Sequence, residues 1–440
     1  MVVVTHASFF TGLNKHYLMQ APKNRRVFVI GYGAATPLGS TFEKTWERAV
    51  QGEAGFRKVT KCQVDSLSNV VGEIPDWDPL SMDFASRKEV YNWNAEYVLL
   101  TMAVCKEALD RSGLKIDKET GPRTACLIGS ALNGTDAFRI AMDNFLNKGP
   151  FKISPYLLPN LCANLPSGKA GMIMGFTGPI FSPQGACASG NHAIGIGARM
   201  IRDGDCDFVL AGGVDTCIMP EIIHGFANMN ATVKIVDGDR AFHDPKQASR
   251  PFSIDRKGMV LSEGGGVLVL AAQEMLSTYG LTPKAEVMGI GWTSDSYHFT
   301  LPNPETVIRA IRGAIDDAEI HPGDIQYVNT HGTSTPKGDK VEIDCLKIVF
   351  GEYELEKIPI SSNKSQIGHT LGASAAIEAA LGIEGMQQGL ILPTVNHIPD
   401  PTLDGIDVVP NKVRKQRYEF FLSNAFGFGG TNCCVVFKGV

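Results

Sequence analysis

Four residues of this 440-residue chain carry side chains suited to catalysis, and Cys187 is the first of them. Cys187 lies in the stretch GACASG, where a predicted strand passes through a tight turn into a predicted helix. A thiol at a helix N-terminus lies close to free backbone N–H groups and to the positive end of the helix dipole, and both favour the nucleophilic thiolate. The alternative is an inert thiol on a closely packed helix, since unpaired cysteines are commonly core residues.

His331, Lys364 and His369 are the other three. His331 follows a predicted strand in NTHGTSTPKGD, and loops at strand ends often hold catalytic side chains, although a lone histidine there is more often structural. Lys364 and His369 lie in NKSQIGHTLGASAA, and we expect His369 to occupy in the second half of the chain the place that Cys187 has in the first. One cysteine and two histidines at such junctions favour a catalytic site.

The stretch SNAFGFGGTN (423–432) places Phe426 and Phe428 between glycines. It predicts either a tight hairpin with two aromatic plugs or a mobile gate whose backbone N–H comes close to a reacting carbonyl. We expect no metal, because structural zinc sites usually contain a pair of ligands close in sequence and Cys187, His331 and His369 provide none.

The elements around these residues alternate between strands and helices. Residues 25–39 predict a strand, followed by a helix with Ser40 as its N-cap; a dinucleotide site is rejected because the third glycine is missing and Pro37 interrupts the turn. Further strands are predicted at 124–131, 207–215 and 266–272, with helices at 90–112 and 188–203. This order is typical of an α/β sheet covered by helices on both faces.

The second part of the chain repeats the first. The segments 284–295, 325–334, 368–382 and 429–439 resemble, in the same order, the opening strand, the strand at 124, the small-residue helix and the strand at 266. Four matches in one order predict two duplicated halves, 25–275 and 280–440, with the active site between them and residues 1–24 as an N-terminal extension.

Composition limits the classes of partner and location. The chain is 44% hydrophobic and 20% charged with a net charge of −5, which gives a nucleic-acid role no electrostatic support. No apolar run reaches the roughly 18 residues that cross a bilayer, so we expect no membrane span. The ten cysteines are scattered without a CxxC pair, which indicates reduced thiols and a cytoplasmic protein.

The motifs GACASG, NTHGTSTPKGD, NKSQIGHTLGASAA and NAFGFGGTN occur in order within residues 25–440 and together resemble the β-ketoacyl-acyl-carrier-protein synthases. These are the elongating condensing enzymes of the thiolase superfamily. The resemblance implies an α/β, five-layered αβαβα fold of two duplicated halves, normally dimeric. It implies decarboxylative condensation of malonyl-carrier with an acyl chain, and no cofactor except the 4′-phosphopantetheine of the acyl carrier protein.

The resemblance also implies roles for the four candidate residues. Cys187 would hold the acyl chain as a thioester, with its own backbone N–H and that of Phe428 forming the oxyanion hole. His331 and His369 would donate hydrogen bonds to the enolate oxygen after decarboxylation. Lys364 would orient the site electrostatically beside a buried carboxylate.

The remaining site residues are likewise implied by the family pattern. They are Glu342 or Glu378 as the carboxylate beside the lysine, Thr333 and Thr335 for the pantetheine arm, Leu132, Leu157 and Phe226 for the acyl pocket, and Phe426 with Phe428 for the gate. One position departs from the pattern: Asn230 stands where several family members have an arginine facing the carrier, and Lys234 and Arg240 are the nearest cations along the chain.

Two readings of the pathway stay open. The first is a homodimeric synthase of fatty-acid elongation; the second is the ketosynthase subunit of a dissociated polyketide or polyene synthase, paired with a chain-length-factor subunit. A non-catalytic chain-length subunit is disfavoured because the nucleophile and both histidines are present. A plain thiolase is disfavoured because Cys433 and Cys434 lie in a predicted core strand, and a His–Asn starter enzyme because KSQIGH supplies His369.

Overall fold

The computed structural model of the protein describes residues 25–82 and 95–440. The predicted N-terminal extension and the first residues of the helix expected at 90–112 lie outside the described residues. No helix within the described ranges has both the length and the apolar character that crossing a bilayer requires.

Strands and helices alternate along most of the described chain. In chain order the strands are β1 (Val27–Ala35), β2 (Arg57–Lys58), β3 (Val70–Val71), β4 (Thr124–Gly129), β5 (Ile180–Phe181), β6 (Phe208–Asp215), β7 (Gly264–Ala272), β8 (Ala285–Ser294), β9 (Tyr327–Asn329), β10 (Pro359–Ser361), β11 (Leu390–Ile391), β12 (Asp407–Val408), β13 (Arg414–Lys415), β14 (Phe420–Gly427) and β15 (Thr431–Lys438). The helices are α1 (Phe42–Val50), α2 (Glu96–Ser112), α3 (Thr135–Lys148), α4 (Leu157–Leu161), α5 (Leu165–Met174), α6 (Ser189–Asp203), α7 (Pro220–Asn228), α8 (Arg240–His243), α9 (Gln273–Tyr279), α10 (Pro304–Asp317), α11 (Pro336–Phe350), α12 (Glu352–Leu355), α13 (Lys364–Ile367) and α14 (Ser374–Gln388).

The main sheet consists of two copies of one strand order. One copy is β5-β4-β6-β7-β1 and the other is β10-β9-β14-β15-β8, and a short antiparallel contact between β1 and β8 joins them. In each copy the first two pairings from the outer strand are parallel and the next two antiparallel. Strand β12 extends the second copy beside β10. The predicted α/β fold with two duplicated halves is confirmed.

Helices cover both faces of the two copies and make five layers. Helices α2 and α5 pack outside the first copy, α10 and α11 pack outside the second, and α6 and α14 lie between the two. The glycines that follow Cys187 in the sequence allow close packing in that central layer. A Cβ on Gly190 would lie 2.8 Å from the backbone nitrogen of Ala376 in α14. The two central helices therefore meet at backbone distance.

Two helix starts differ from the sequence-based expectation. Thr41, and not Ser40, is the N-cap of α1, because its hydroxyl accepts the backbone N–H of Lys44. Helix α6 begins at Ser189, one residue later than expected, because Ala186–Ala188 forms a separate 3₁₀ turn.

Candidate active site

Cys187 lies in the 3₁₀ turn that leads into α6. Ala186, the residue before it, has a φ of +49°, a left-handed conformation that is strained for a residue with a Cβ. Ser189 stabilises the turn, since its hydroxyl accepts the N–H of Gly185 at 3.0 Å and donates to the carbonyl of Ala186 at 2.7 Å. Strand β14 of the second half of the chain packs against this turn.

The thiol of Cys187 is buried, and its surroundings act on it in opposite directions. Burial and the nearby Asp215 carboxylate raise the pKa of Cys187 to about 12, although Lys364 and the backbone N–H groups of Phe428 and Cys187 itself lower it. The net direction of this pKa shift favours the neutral thiol in the free protein. It opposes the effect expected of the helix N-terminus, because desolvation is the largest influence on the sulfur.

Asp215 ends β6 near Cys187, and sequence reasoning missed it. Its carboxylate accepts the hydroxyl of Ser130 at 2.7 Å, the N–H of Ala131 at 2.9 Å and the N–H of Gly372 at 2.7 Å. It thus ties a loop of the first half to a turn of the second. An acid ending an otherwise apolar strand, DFVLAGGVD, was the available signal.

His331 follows β9 and is held by a carboxylate from α11. Glu342 accepts the backbone N–H of His331 and of Gly332, each at 2.8 Å, and the side-chain amide of Asn424 at 3.1 Å. Glu342 is buried and is fully engaged with these donors. It therefore orients the backbone from which the imidazole of His331 projects.

His369 comes from the opposite side, ahead of the turn that leads into α14. Its Nδ1 lies 3.0 Å from the hydroxyl of Ser374, and its ring is nearly perpendicular to that of His331 with the ring centres 5.5 Å apart. Burial and the charge of Lys364 hold the pKa of both histidines well below the usual range. Both imidazoles are therefore neutral, and each keeps one N–H to donate.

His369 does not occupy the place that Cys187 has in the first half. In the second half the turn Leu371–Ala373 matches Ala186–Ala188, and Leu371 has a φ of +50° where Ala186 has +49°. Gly372 is therefore the counterpart of Cys187. His369 lies three residues before Gly372, in the short segment between α13 and the turn Leu371–Ala373.

Lys364 pairs with Glu378 and not with Glu342. The ammonium of Lys364 lies 2.6 Å from the Glu378 carboxylate, and both side chains are fully buried. Burial raises the pKa of Glu378 to about 7, while Lys364 opposes that rise. Of the two carboxylates expected beside the lysine, the structure thus selects the one on α14.

One cavity of about 560 Å³ brings most of the predicted site together. The predicted residues that line it are Cys187, Phe226, His331, Thr333, Thr335, Glu342, His369, Phe426 and Phe428. Phe226 and Phe428 face each other with ring centres 6.2 Å apart, and the hydroxyls of Thr333 and Thr335 lie 3.1 Å apart. In the part of the chain that the structure describes, no group of three His, Cys, Asp or Glu side chains has the arrangement of a metal site.

The predicted acyl-pocket leucines behave differently from each other. Leu132 packs in the apolar cluster that contains Cys187, together with Phe226 and Ile218. Leu157 opens α4, which does not reach the cavity, and is half-buried at the outer surface. Leu157 therefore does not line the cavity of a single chain, and its place in an acyl pocket stays a prediction.

Asn230, which stands where several family members have an arginine, has two cations near it in the sequence, Lys234 and Arg240. Asn230 lines the cavity and accepts a hydrogen bond from Lys234 at 2.7 Å. Arg240 pairs with Asp255 at 3.0 Å and does not line the cavity. Arg240 therefore lies away from the cavity, with its guanidinium paired to a carboxylate.

Sequence reasoning missed the cavity mouth. The loop 295–302 and the exposed Lys337 line the mouth. Asp295 anchors this loop, accepting the side-chain amide of Asn432 at 2.6 Å and the N–H of Asn303 at 3.1 Å. The loop directly follows β8, so its position at a strand end was the signal that could have identified it.

Comparisons with known proteins agree with this geometry. Residues 24–275 match the N-terminal domain family of β-ketoacyl synthases, and residues 284–397 match the C-terminal domain family. The 3-oxoacyl-[acyl-carrier-protein] synthase 2 of Staphylococcus aureus is 35% identical over 420 residues, which is 94% of this chain and 99% of that protein.

Solved structures give the same result for the fold. A β-ketoacyl synthase from Burkholderia phymatum is similar with a TM-score of 0.86 and 29% identity, covering 94% of this chain and all of that one. The ishigamide ketosynthase/chain length factor is similar with a TM-score of 0.85 and 27% identity, covering 95% of this chain and all of that one. With both family domains matched and Cys187, His331 and His369 meeting in one cavity, the chain belongs to the β-ketoacyl synthase family.

Proposed function

We propose that this protein is a β-ketoacyl-acyl-carrier-protein synthase of fatty-acid elongation, with its site at the junction of halves 25–275 and 280–440. It condenses malonyl-carrier with an acyl chain held on Cys187 and extends that chain by two carbons. The observation that carries the proposal is the meeting of Cys187, His331 and His369 in one cavity. The 35% identity to a 3-oxoacyl-carrier synthase along nearly the whole chain supports it.

The first step is the transfer of the acyl chain to Cys187. The sulfur attacks the thioester carbonyl, its bond to carbon forms as the carrier's sulfur–carbon bond breaks, and the thiol proton ends on the carrier's thiol. The oxyanion accepts the N–H groups of Cys187 and Phe428, which lie close enough to the sulfur to lower its pKa. The same two N–H groups stabilise negative charge on the sulfur and so partly offset the effect of desolvation on the pKa of Cys187.

The second step is decarboxylation of malonyl-carrier. As CO₂ leaves, the negative charge moves to the thioester oxygen, where the N–H groups of neutral His331 and His369 donate hydrogen bonds. The enolate carbon then attacks the acyl carbonyl, and the carbon–carbon bond forms as the bond between that carbonyl carbon and the sulfur of Cys187 breaks. The departing thiolate takes one proton from solvent, which is the proton that the overall condensation consumes. The buried pair of Lys364 and Glu378 acts electrostatically, since it pairs internally and does not line the cavity.

The cavity also accommodates the substrates. Phe226 and Leu132 make the apolar surroundings that an acyl chain on Cys187 needs, and Phe428, with Phe426, is the gate between that chain and the cavity. The hydroxyls of Thr333 and Thr335 are the contacts for the pantetheine arm. The acyl carrier protein is the partner, its 4′-phosphopantetheine entering through the cavity mouth.

The chain forms a homodimer through an apolar face on α3, the 3₁₀ turn Pro150–Lys152 that follows it, α4 and α5. The exposed large side chains on this face are Phe138, Leu146, Phe151, Leu158 and Met172. Strand β5 ends the sheet beside them, and an exposed strand edge pairs readily with another chain. Leu157 lies on α4 within this face, so in the dimer it would approach the acyl pocket of the second copy.

The alternative pathway remains a second candidate because the ishigamide ketosynthase/chain length factor has nearly the same fold. The higher identity to the Staphylococcus aureus synthase favours fatty-acid elongation. Light scattering separates the two: an active homodimer from the purified chain supports elongation, and activity only with a co-purified second subunit supports the polyketide assignment.

Intact-mass spectrometry tests the reaction itself. Wild-type protein incubated with acyl-carriers of different length gains the mass of the acyl group, and the Cys187→Ala variant gains none but still decarboxylates malonyl-carrier. Cys162→Ala is the matched control, because Cys162 is exposed on the surface. An acyl adduct that persists without Cys187 would contradict the proposal.

A further inference from the structure

The cavity mouth carries a charge that no step above uses. Among the described residues that line the cavity, Lys337 is the one lysine or arginine. Its side chain is exposed, and its ammonium has neither a hydrogen bond nor an ion pair within residues 25–82 and 95–440. The charge of Lys337 is therefore free for a ligand.

The carboxylates of the same cavity are already satisfied. Asp295 is hydrogen-bonded by Asn432 and Asn303, and Glu342 by the N–H groups of His331 and Gly332. Neither acid competes for the lysine. An anionic group at the mouth would therefore meet an uncompensated positive charge.

The position of Lys337 indicates which anion it meets. The segment from His331 to Lys337 runs from the reacting end of the cavity to its mouth, with half-buried Thr333 and Thr335 between them. Lys337 is also in the first turn of the 15-residue helix α11, whose N-terminal dipole adds to the positive potential. A thioester arm that lies along this segment, with its sulfur at Cys187, has its anionic end at the mouth.

We propose that Lys337 binds the phosphodiester of the 4′-phosphopantetheine arm and so positions the thioester for His331 and His369. This inference rests on the proposed function, since it assumes a carrier-bound substrate. Carboxylates of the carrier protein have the same charge, so the experiment has to separate them from the phosphate. Lys337 is a positioning residue and touches no reacting atom.

Two small thioesters isolate the phosphate from the carrier protein. Malonyl-phosphopantetheine and malonyl-pantetheine differ in the phosphate alone, and decarboxylation of each is followed with wild type, Lys337→Ala and Lys337→Arg. Lys340→Ala is the matched control, because Lys340 is exposed on the same helix and pairs with Asp344 at 2.9 Å. Calorimetric binding of phosphopantetheine itself to each variant gives a readout that does not depend on turnover.

We expect Lys337→Ala to lower the preference for the phosphorylated thioester roughly two- to fivefold, the scale of one solvent-exposed charge pair. The loss falls on KM and not on kcat, shrinks as salt is added, and is recovered by Lys337→Arg. Lys340→Ala keeps the wild-type preference. Phosphopantetheine binds Lys337→Ala more weakly by the same factor.

An equal loss for both small thioesters would overturn the inference, and so would a loss seen only with intact carrier, which would assign Lys337 to carboxylates of the carrier protein. Failure of the proposed function has a different signature: wild-type protein would neither acylate Cys187 nor decarboxylate any malonyl thioester.

Discussion

Replacing Glu342 by glutamine separates the positioning of His331 from the rest of the chemistry. The carboxylate accepts three buried donors, the N–H groups of His331 and Gly332 and the amide of Asn424. Glutamine has nearly the same shape but only one oxygen, so its NH₂ group faces at least one of those N–H groups. One buried donor then loses its acceptor.

The magnitude follows from these contacts. A buried donor without a partner costs about 1–3 kcal/mol, and loss of the carboxylate charge weakens the remaining hydrogen bonds by about 1 kcal/mol. We therefore expect Glu342→Gln to lower the free energy of unfolding by about 2–4 kcal/mol. Because a shift of the imidazole of about 1 Å costs on the order of a hundredfold in rate, decarboxylation should fall between about ten- and a hundredfold.

Two assays resolve the effect. Urea unfolding gives the loss of stability, and the two half-reactions are measured apart: acylation of Cys187 by intact mass, and CO₂ release from malonyl-carrier. In the proposed mechanism acylation depends on the backbone N–H groups of Cys187 and Phe428, which Glu342 does not contact, so it should fall far less than decarboxylation. Asp344→Asn is the control, since Asp344 is exposed on the same helix.

A Glu342→Gln variant that loses acylation but decarboxylates normally would refute this reasoning, because it would show that the carboxylate serves the nucleophile and not His331. Unchanged stability would equally refute it, since three buried donors would then not need the carboxylate.

Three further predictions concern stability. Lys364→Met leaves Glu378 buried without its cation and should lower the free energy of unfolding by about 3–5 kcal/mol above pH 7. The loss should be smaller in acid, because burial raises the pKa of Glu378 to about 7 and the carboxyl is then protonated. In urea unfolding the double variant Lys364→Met/Glu378→Leu should recover most of the loss. Gly190→Ala should lower the free energy of unfolding by about 1–3 kcal/mol despite alanine's helix propensity, because the new Cβ would lie 2.8 Å from the backbone of α14. Gly225→Ala, which has open space around the new Cβ, should raise it by up to about 1 kcal/mol. Equal melting temperatures for the two variants would contradict the packing argument. Burial holds the pKa of both cavity histidines well below the usual range, so between that lowered pKa and about pH 6.5 the unfolded chain binds more protons than the folded chain and stability falls as pH drops. In urea unfolding at a series of pH values, a variant with both histidines replaced by asparagine should lose less stability toward acid pH than wild type. An equal loss would show that the rings are protonated in the folded protein.

The sequence by itself determined the architecture and the residues that could react. Repeated strands and glycines predicted two halves of one topology, because alternating apolar runs and turn residues are local properties of the chain. The same locality identified the turn at Cys187 and the loop after β9, since such turns require small residues at fixed offsets. The catalytic roles of Cys187, His331, His369 and Lys364 stay predictions that the cavity geometry supports.

Only the tertiary structure decided how those residues are partnered and protonated. It chose Glu378 over Glu342 for Lys364, removed Leu157 from the acyl pocket of a single chain, and brought Lys337 to the cavity mouth. It also buried Cys187, which raises the pKa of the thiol and favours its neutral form. The physical reason is that burial and electrostatic fields sum over side chains far apart in sequence, so no motif that spans a few residues contains them.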